Sequence, residues 1–519
     1  MSEPAASHDG DVRVEEKCCL MVVNRRTFLR TSAAAGLGAL AAHWLPQTAA
    51  AQADTFTEVS ISPELHIVNR VTWGARPQDI ARINEMGSAA YIDWQLAYEA
   101  IPDPQVEAFI AARRALHMNR ADLEALVQAQ YSSVLQAALA ARLYRAVTSE
   151  RQLYERMVEF WTDHFNVPIL DYVADKIIED RDVIRRHALG SFRDLLFGTA
   201  RSAAMLQYLD NASSSAEHPN ENYARELLEL HTLGVDGGYT ETDVNEVARA
   251  FTGWTLNFNQ PDPFVFSAYD HDTRTKTVLG VTLVEGRGIE DGLEVLDMLA
   301  NHPSTARFIS TKLIRRFVSD LPPESLIDST SAVFIETGGD LRSVMRHILN
   351  SGEFTGSHGQ KFRRPFDFLV AAARALEPGI QIGSPESLVY RLEPLGQVPY
   401  HWGPPNGYPD AAGAWINTNG LLHRWNLALD LANASEGYVS GVALHLEAVV
   451  PPQATVGALI DTAAERLLGH GLPDADRALL AAYITRSGSL EEGINADTYY
   501  EKAPGLIGLV LASPYFQWI

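Results

Sequence analysis

Cysteine is nearly absent from this sequence. The 519 residues include two, Cys18 and Cys19, both near the start. Beyond residue 53 there is none, which excludes disulfides, a thiolate nucleophile and cysteine metal ligands from that part. Stability there must come from a core, and a chain of this length has ample area to bury. Positive charge is also scarce: 42 Lys and Arg face 65 Asp and Glu, a net charge of −23. Residues 1–53 hold five acids and five bases, so the whole deficit lies beyond them. Such an acidic surface argues against nucleic acid or an anionic lipid surface as a partner, because phosphate binding there needs clustered Lys and Arg. No later segment has the roughly 18 consecutive apolar residues of a membrane span. A Gly-x-Ser-x-Gly elbow, a phosphate-binding loop, a dinucleotide fingerprint and His-Glu-x-x-His are all missing. Their absence counts against the commonest serine hydrolases, nucleotide enzymes and zinc proteases.

What is present begins with Asn24-Arg25-Arg26-Thr27-Phe28-Leu29-Arg30 and an uncharged stretch from Ala33 to Leu45. That stretch is too short for a stable bilayer helix, and small residues after it offer cleavage after Ala51 or Ala53. The pattern resembles a twin-arginine export signal, which implies the twin-arginine machinery as a partner and a periplasmic or extracellular location. A chance Arg-Arg before an N-terminal anchor helix is the competing reading. Charges of both signs in residues 1–20 are unusual for a signal, and Met21 is a tidier start.

From residue 54 the pattern predicts an all-α fold, one large domain with a small β-hairpin insertion. Helices are expected over 76–97, 104–116, 121–145, 149–163, 173–188, 220–232, 241–252, 288–301, 303–318, 340–350, 364–376 and 418–432, many with apolar residues at i, i+3 and i+4. Phe264 to Phe266 and Thr277 to Leu279 are extended and predict the hairpin. Residues 433–457 separate a candidate C-terminal helical subdomain from about 458. Leu349 to Phe354 and Leu511 to Phe516 echo one another, each an apolar helix end, a Ser and a Phe. Two copies do not make a repeat architecture.

The densest block runs from Pro219 to Trp254. Asn220 is a natural N-cap, and Glu221 suits the positive helix end. Gly234 closes the first helix, and Thr240 with Asp243 opens the next as a capping box. This block resembles a bacterial family catalogued as domain of unknown function 1800. The matching elements are Pro219 to Leu227, Thr232-Leu233-Gly234, Tyr239-Thr240, Asp243-Val244 and Ala250 to Trp254. Further matches are Asn69-Arg70, Trp73-Gly74, Trp161, His164-Phe165, Leu206 to Asn211, His271, Lys276, Leu279-Gly280, Pro404-Pro405-Asn406 and Trp415. Many members follow Pro-Pro-Asn with a Gly-Trp pair, where this chain has Gly407-Tyr408-Pro409. The resemblance implies a fold, often with export, and no reaction.

Candidate chemistry lies in three places. Glu226 and Glu229, beside Asn222 and Arg225, form an acid/base or metal-binding set, or else surface i, i+4 ion pairs around Arg225. On a regular helix His231 stands about 140° from Glu226 and cannot chelate with it. His164 closes the Trp161 to Asn166 cluster, and His271 stands between Asp270 and Asp272; a core histidine and a solvated acidic loop are the competing readings. A Gly/Pro-rich segment, 394–413, offers Trp402, Asn406 and Trp415 for stacking on a carbohydrate-like polymer, or as plugs for the core. Two functions follow. One is an exported enzyme on an envelope or extracellular polymer, with Glu226, Glu229, His164 and His271 as catalytic groups, with or without a divalent metal of unassigned ligands. The other is a non-catalytic helical scaffold or binding protein of the envelope. One concave cluster of these side chains would favour the enzyme, and their scattering over ion pairs the scaffold.

Overall fold

Caps and stripes place the helices much as the sequence suggests. Asn220 accepts from the Tyr223 amide (3.0 Å), and Thr240 with Asp243 forms a full capping box over Glu241–Ala250. Pro stands in the first turn of Pro63–Val71, Pro77–Met86, Pro303–Phe317 and Pro365–Ala375, where its missing N–H costs nothing. Leu341–Leu349 buries Leu341, Val344, Met345, Ile348 and Leu349 along one side. The computed structural model describes Val59, residues 61–434 and residues 441–519. The export signal, Met21 and both cysteines lie outside the described residues, as do residues 435–440 of the expected separator.

The described chain is mainly helical, with small antiparallel sheets of two strands each. The small β insertion is present, but the two extended segments do not pair with each other. Phe264–Phe266 pairs with Trp254–Leu256, and Lys276–Val278 pairs with Val281–Leu283, so each segment has its own partner. A third pairing, Ile380–Ile382 with Val442–Leu444, joins distant segments and has no local sequence signal. The expected 76–97 helix is two helices, because Gly87 takes φ +82° between them.

One helix departs from regular geometry where it matters. After Glu221–Glu226 the chain continues as a π-helix over Leu227–Thr232. The Leu233 amide donates to the Leu228 carbonyl (2.8 Å), and Thr232 Oγ1 donates to the Leu227 carbonyl (2.6 Å). A regular 3.6-residue turn therefore does not apply at His231, so the 140° angle does not describe its position. Such bulges frequently mark functional sites. The main core gathers around Trp161, Phe165, Phe192, Leu228, Phe251 and Trp254.

The C-terminal helices Val456–Leu468 and Ala496–Ala512 belong to the same compact unit as the rest of the described chain. The echoed segments share a local device: Ser351 Oγ donates to the Ile348 carbonyl (2.8 Å) and Ser513 Oγ to that of Val510 (2.7 Å). Each is followed by a buried Phe, Phe354 or Phe516.

Candidate functional site

Three distant stretches meet at the C-terminal end of the Gln152–His164 helix. Amphipathic patterning buries its Trp161 and Phe165 flank, and this turns His164 inward. His164 Nε2 donates to the His231 carbonyl in the π-helix (3.1 Å), and Lys312 Nζ donates to His164 Nδ1 (2.9 Å). A carbonyl can only accept, so the proton sits on Nε2 and the imidazole is neutral. Burial, then Lys312 and His231, hold His164 well below the usual histidine range. His231 packs on Phe165, with ring centroids 5.1 Å apart, and burial followed by Lys312 takes it to about 3.

The Gly/Pro-rich loop covers the same helix end. Asn166 Nδ2 donates to the carbonyls of Trp402 (2.9 Å) and Pro404 (2.7 Å), and the Tyr208 hydroxyl donates to that of Gly403 (2.6 Å). Tyr400 takes φ +63°, and its hydroxyl donates to Asp180 (3.1 Å). Gly407, at φ +71°, lies directly against Asp163.

Beneath the loop is a buried network of charges. Arg364 donates to Asp163 (2.9 Å) and to Glu159, while Arg316 donates to Glu159 (2.6 Å) and Asp367 (3.3 Å). Asp367 also accepts from Trp73 Nε1 (3.1 Å), and its surrounding guanidiniums outweigh burial to hold it far below the usual range. Lys361 reaches Asp320 (2.5 Å) and Asp410 (3.4 Å). Asp163 behaves differently from Asp367. Burial and the neighbouring Glu159 charge push it up to about 7, against the opposing pull of Arg364. Burial brings Lys312 down to about 8, with Asp163 and Asp410 opposing that fall. Lys312 thus titrates near neutrality against His164, and Asp163, its neighbour in the chain, does so at the same helix end, which is the condition for acid–base work.

The other expected site residues fall in separate places. His271 Nδ1 donates to the Thr252 carbonyl (2.8 Å), and its Nε2 lies 3.4 Å from Asp291. Asp291 also holds Lys276 (2.7 Å) and Arg287 (3.0 Å), so His271 belongs to a network that fastens the strand insertion. Arg225 pairs with Glu241 through two 2.8 Å bonds, and Glu229 accepts from the Tyr239 hydroxyl (3.4 Å). Asn222 is exposed. Glu226 is half-buried and pushed up by burial and by Glu229; its charge also helps burial take Tyr208 to about 12, which places it beside the loop. Trp402 Nε1 donates to Asn406 Oδ1 (2.9 Å) at the loop surface. Trp415 donates to the Pro409 carbonyl (3.0 Å) and packs with Phe362, Tyr408 and Leu421 as a plug.

Among the described residues, no three His, Cys, Asp or Glu side chains are grouped to hold one metal ion. Sequence reasoning missed Lys312, Glu159, Arg316, Arg364 and Asp410. The available signal was Lys312 and Arg316 lying on the stripe of Ile309 and Leu313, where charge interrupts an apolar face.

No curated protein and no solved structure matched the chain significantly. A family model described as "Protein of unknown function (DUF1800)" matches residues 66–518. The His164, His231 and Pro404 stretches that meet at this site all lie within that match, and the chain belongs to the DUF1800 family.

Proposed function

We propose that this is an exported enzyme acting by acid–base chemistry on an envelope or extracellular polymer. The observation that carries this reading is the bond from Lys312 Nζ to the neutral His164 (2.9 Å) at the helix end that also carries Asp163, whose carboxyl is pushed up by burial and by Glu159. Asp163 accepts the proton from the attacking group, Lys312 returns one to the leaving group, and His164 orients the amine. Glu226 stands beside the loop as a second acid/base group, and Trp402 with Asn406 offers the polymer a stacking face and an amide. The export signal supports the location, and the net charge of −23 fits a neutral, carbohydrate-like polymer better than an anionic one.

The test is fragment release from peptidoglycan sacculi and a panel of neutral polysaccharides, followed by mass spectrometry. Asp163→Asn and Lys312→Met are each expected to lower release at least about a hundredfold. Release unchanged in both variants, or none from any polymer with wild type, overturns the enzyme reading. The non-catalytic envelope scaffold is supported by one observation: Arg225 and Glu229 are taken up by Glu241 and Tyr239.

A further inference from the structure

A large cavity lies elsewhere. It is a cleft of about 960 Å³ with Pro63–Val71 and Pro77–Met86 on one side, and Val456–Leu468 with residues 515–519 on the other. Its size falls in the ordinary range for ligand pockets, roughly 300–1,000 Å³. Leu65, Ile80, Leu467, Phe516 and Trp518 give it an apolar lining.

Its charge runs against that of the protein. Of the three guanidiniums in the walls, Arg76 is paired with Asp79, Glu150 and Glu377, while no ion pair joins Arg363 or Arg466 to a carboxylate among the described residues. Arg363 donates to the carbonyls of Trp73 (2.5 Å) and Phe516 (2.9 Å) and to Asn69 Oδ1 (3.2 Å), and the Asp367 carboxylate acts on it without an ion-pair contact. Burial lowers it to about 9, and it remains cationic at neutral pH. Both terminal nitrogens of Arg466 are buried without a hydrogen-bond partner. The Glu377 carboxylate acts on Arg466 from a distance but is engaged by Arg76 at 3.4 Å. The acids of the lining, Asp461 and Glu465, are exposed, and Asp461 is held by Arg477 (2.7 Å). His66, His358 and His470 also line the cleft, and burial keeps all three below the usual histidine range. They add no charge at neutral pH. A buried guanidinium with unmade hydrogen bonds is costly, and an anion supplies the strongest acceptors for it.

We propose that this cleft binds an amphiphile with one anionic head, a carboxylate or a phosphate. The head meets Arg466, and the apolar body lies along Leu65, Ile80, Leu467, Phe516 and Trp518. This binding does not depend on the chemistry at Asp163.

The test is calorimetric titration of the full chain with dodecanoate, dodecyl phosphate, dodecan-1-ol and inorganic phosphate. One dodecanoate or dodecyl phosphate per chain is expected, with dodecanol at least tenfold weaker. Arg466→Met should weaken both anions at least tenfold and leave dodecanol unchanged. Thr462 lines the cleft and its hydroxyl bonds only within its own helix, so Thr462→Trp should fill the space and abolish binding of every amphiphile. Circular dichroism melting reports whether each variant is folded. Dodecanol equal to dodecanoate overturns the anionic head. Inorganic phosphate equal to dodecyl phosphate overturns the amphiphile. No binding to wild type, or undiminished binding to folded Thr462→Trp, overturns the site.

Discussion

A Cβ added to Gly407 would lie 2.0 Å from the carbonyl oxygen of Asp163. The backbone of the Gly/Pro-rich loop therefore rests on the helix end that carries the candidate base, and φ +71° adds a second demand for glycine there. Gly407→Ala should cost about 2–4 kcal/mol, combining left-handed strain with the collision. Gly403→Ala, in the same loop but in open space, should stay within about 0.5 kcal/mol. Urea denaturation of the two variants checks this; equal midpoints would mean that the loop does not bear on Asp163.

The two shifted groups predict opposite slopes of stability with pH. Asp163 titrates near 7 in the fold against 3.8 ordinarily, so the native state holds an extra proton between those values. Stability should fall as pH rises from about 4 to 7, and Asp163→Asn should flatten that slope. Lys312 is the reverse case, near 8 against 10.5. The unfolded chain holds the extra proton there, so stability should rise between about pH 8 and 10.5, and Lys312→Met should remove the rise. Melting temperatures across both windows, wild type against variant, decide it.

Activity carries its own pH signature. With Asp163 required as the anion and Lys312 as the cation, release from polymer should peak between about 7 and 8. Asp163→Asn should erase the acidic limb of whatever activity remains. A wild-type profile flat from pH 6 to 9 would assign the chemistry to other groups.

Asp291 is fully buried and anchors Lys276, Arg287 and His271. Asp291→Asn leaves a buried ammonium without its counter-charge and should cost about 3–5 kcal/mol. Urea midpoints measure it, and a loss below about 1 kcal/mol would show that the insertion is held otherwise. Polymer release by the folded fraction should be unchanged, since His271 bonds in that network and not with His164.

Arg424 is buried against Phe362 and Phe368, 4.5 and 5.3 Å from the ring centroids, and none of its nitrogens bonds to a protein group. Burial lowers it to about 9. Arg424→Met keeps the stem and deletes the desolvated charge, so stability should hold or rise by up to about 1–4 kcal/mol. A melting temperature lower by several degrees would give the guanidinium a structural role that its contacts do not display.

The sequence made the helices legible where a stripe and a cap coincide. Thr418–Ala432 matches its expected bounds, and Thr240 with Asp243 opens Glu241–Ala250 as patterned. The three-residue strands were partly visible, but Ile380–Ile382 finds its partner only through folding. The π-helix at Leu227–Thr232 has no residue signature; it follows from burying His231 and offering its carbonyl to His164. The candidate site was legible in pieces, as His164, Trp402 and Asn406. Their assembly was hidden because Lys312 and Arg364 come from segments far apart in the chain, and the stripe that Lys312 interrupts does not say what it meets. His271 was conspicuous among acids yet serves the strand insertion.

Arg363 binds the carbonyls of Trp73 and Phe516, and Arg70 binds those of Val318 and Ser357. Each of these cations therefore ties together segments made at very different moments of synthesis. Helices can form as the ribosome emits them, but the Arg363 contact must wait until Phe516 is made. A nascent chain stopped before Phe516 would leave the Arg363 guanidinium without one of its acceptors in a half-built interior. Contacts of this separation form late, because the entropy of closing a long loop must be met before they contribute.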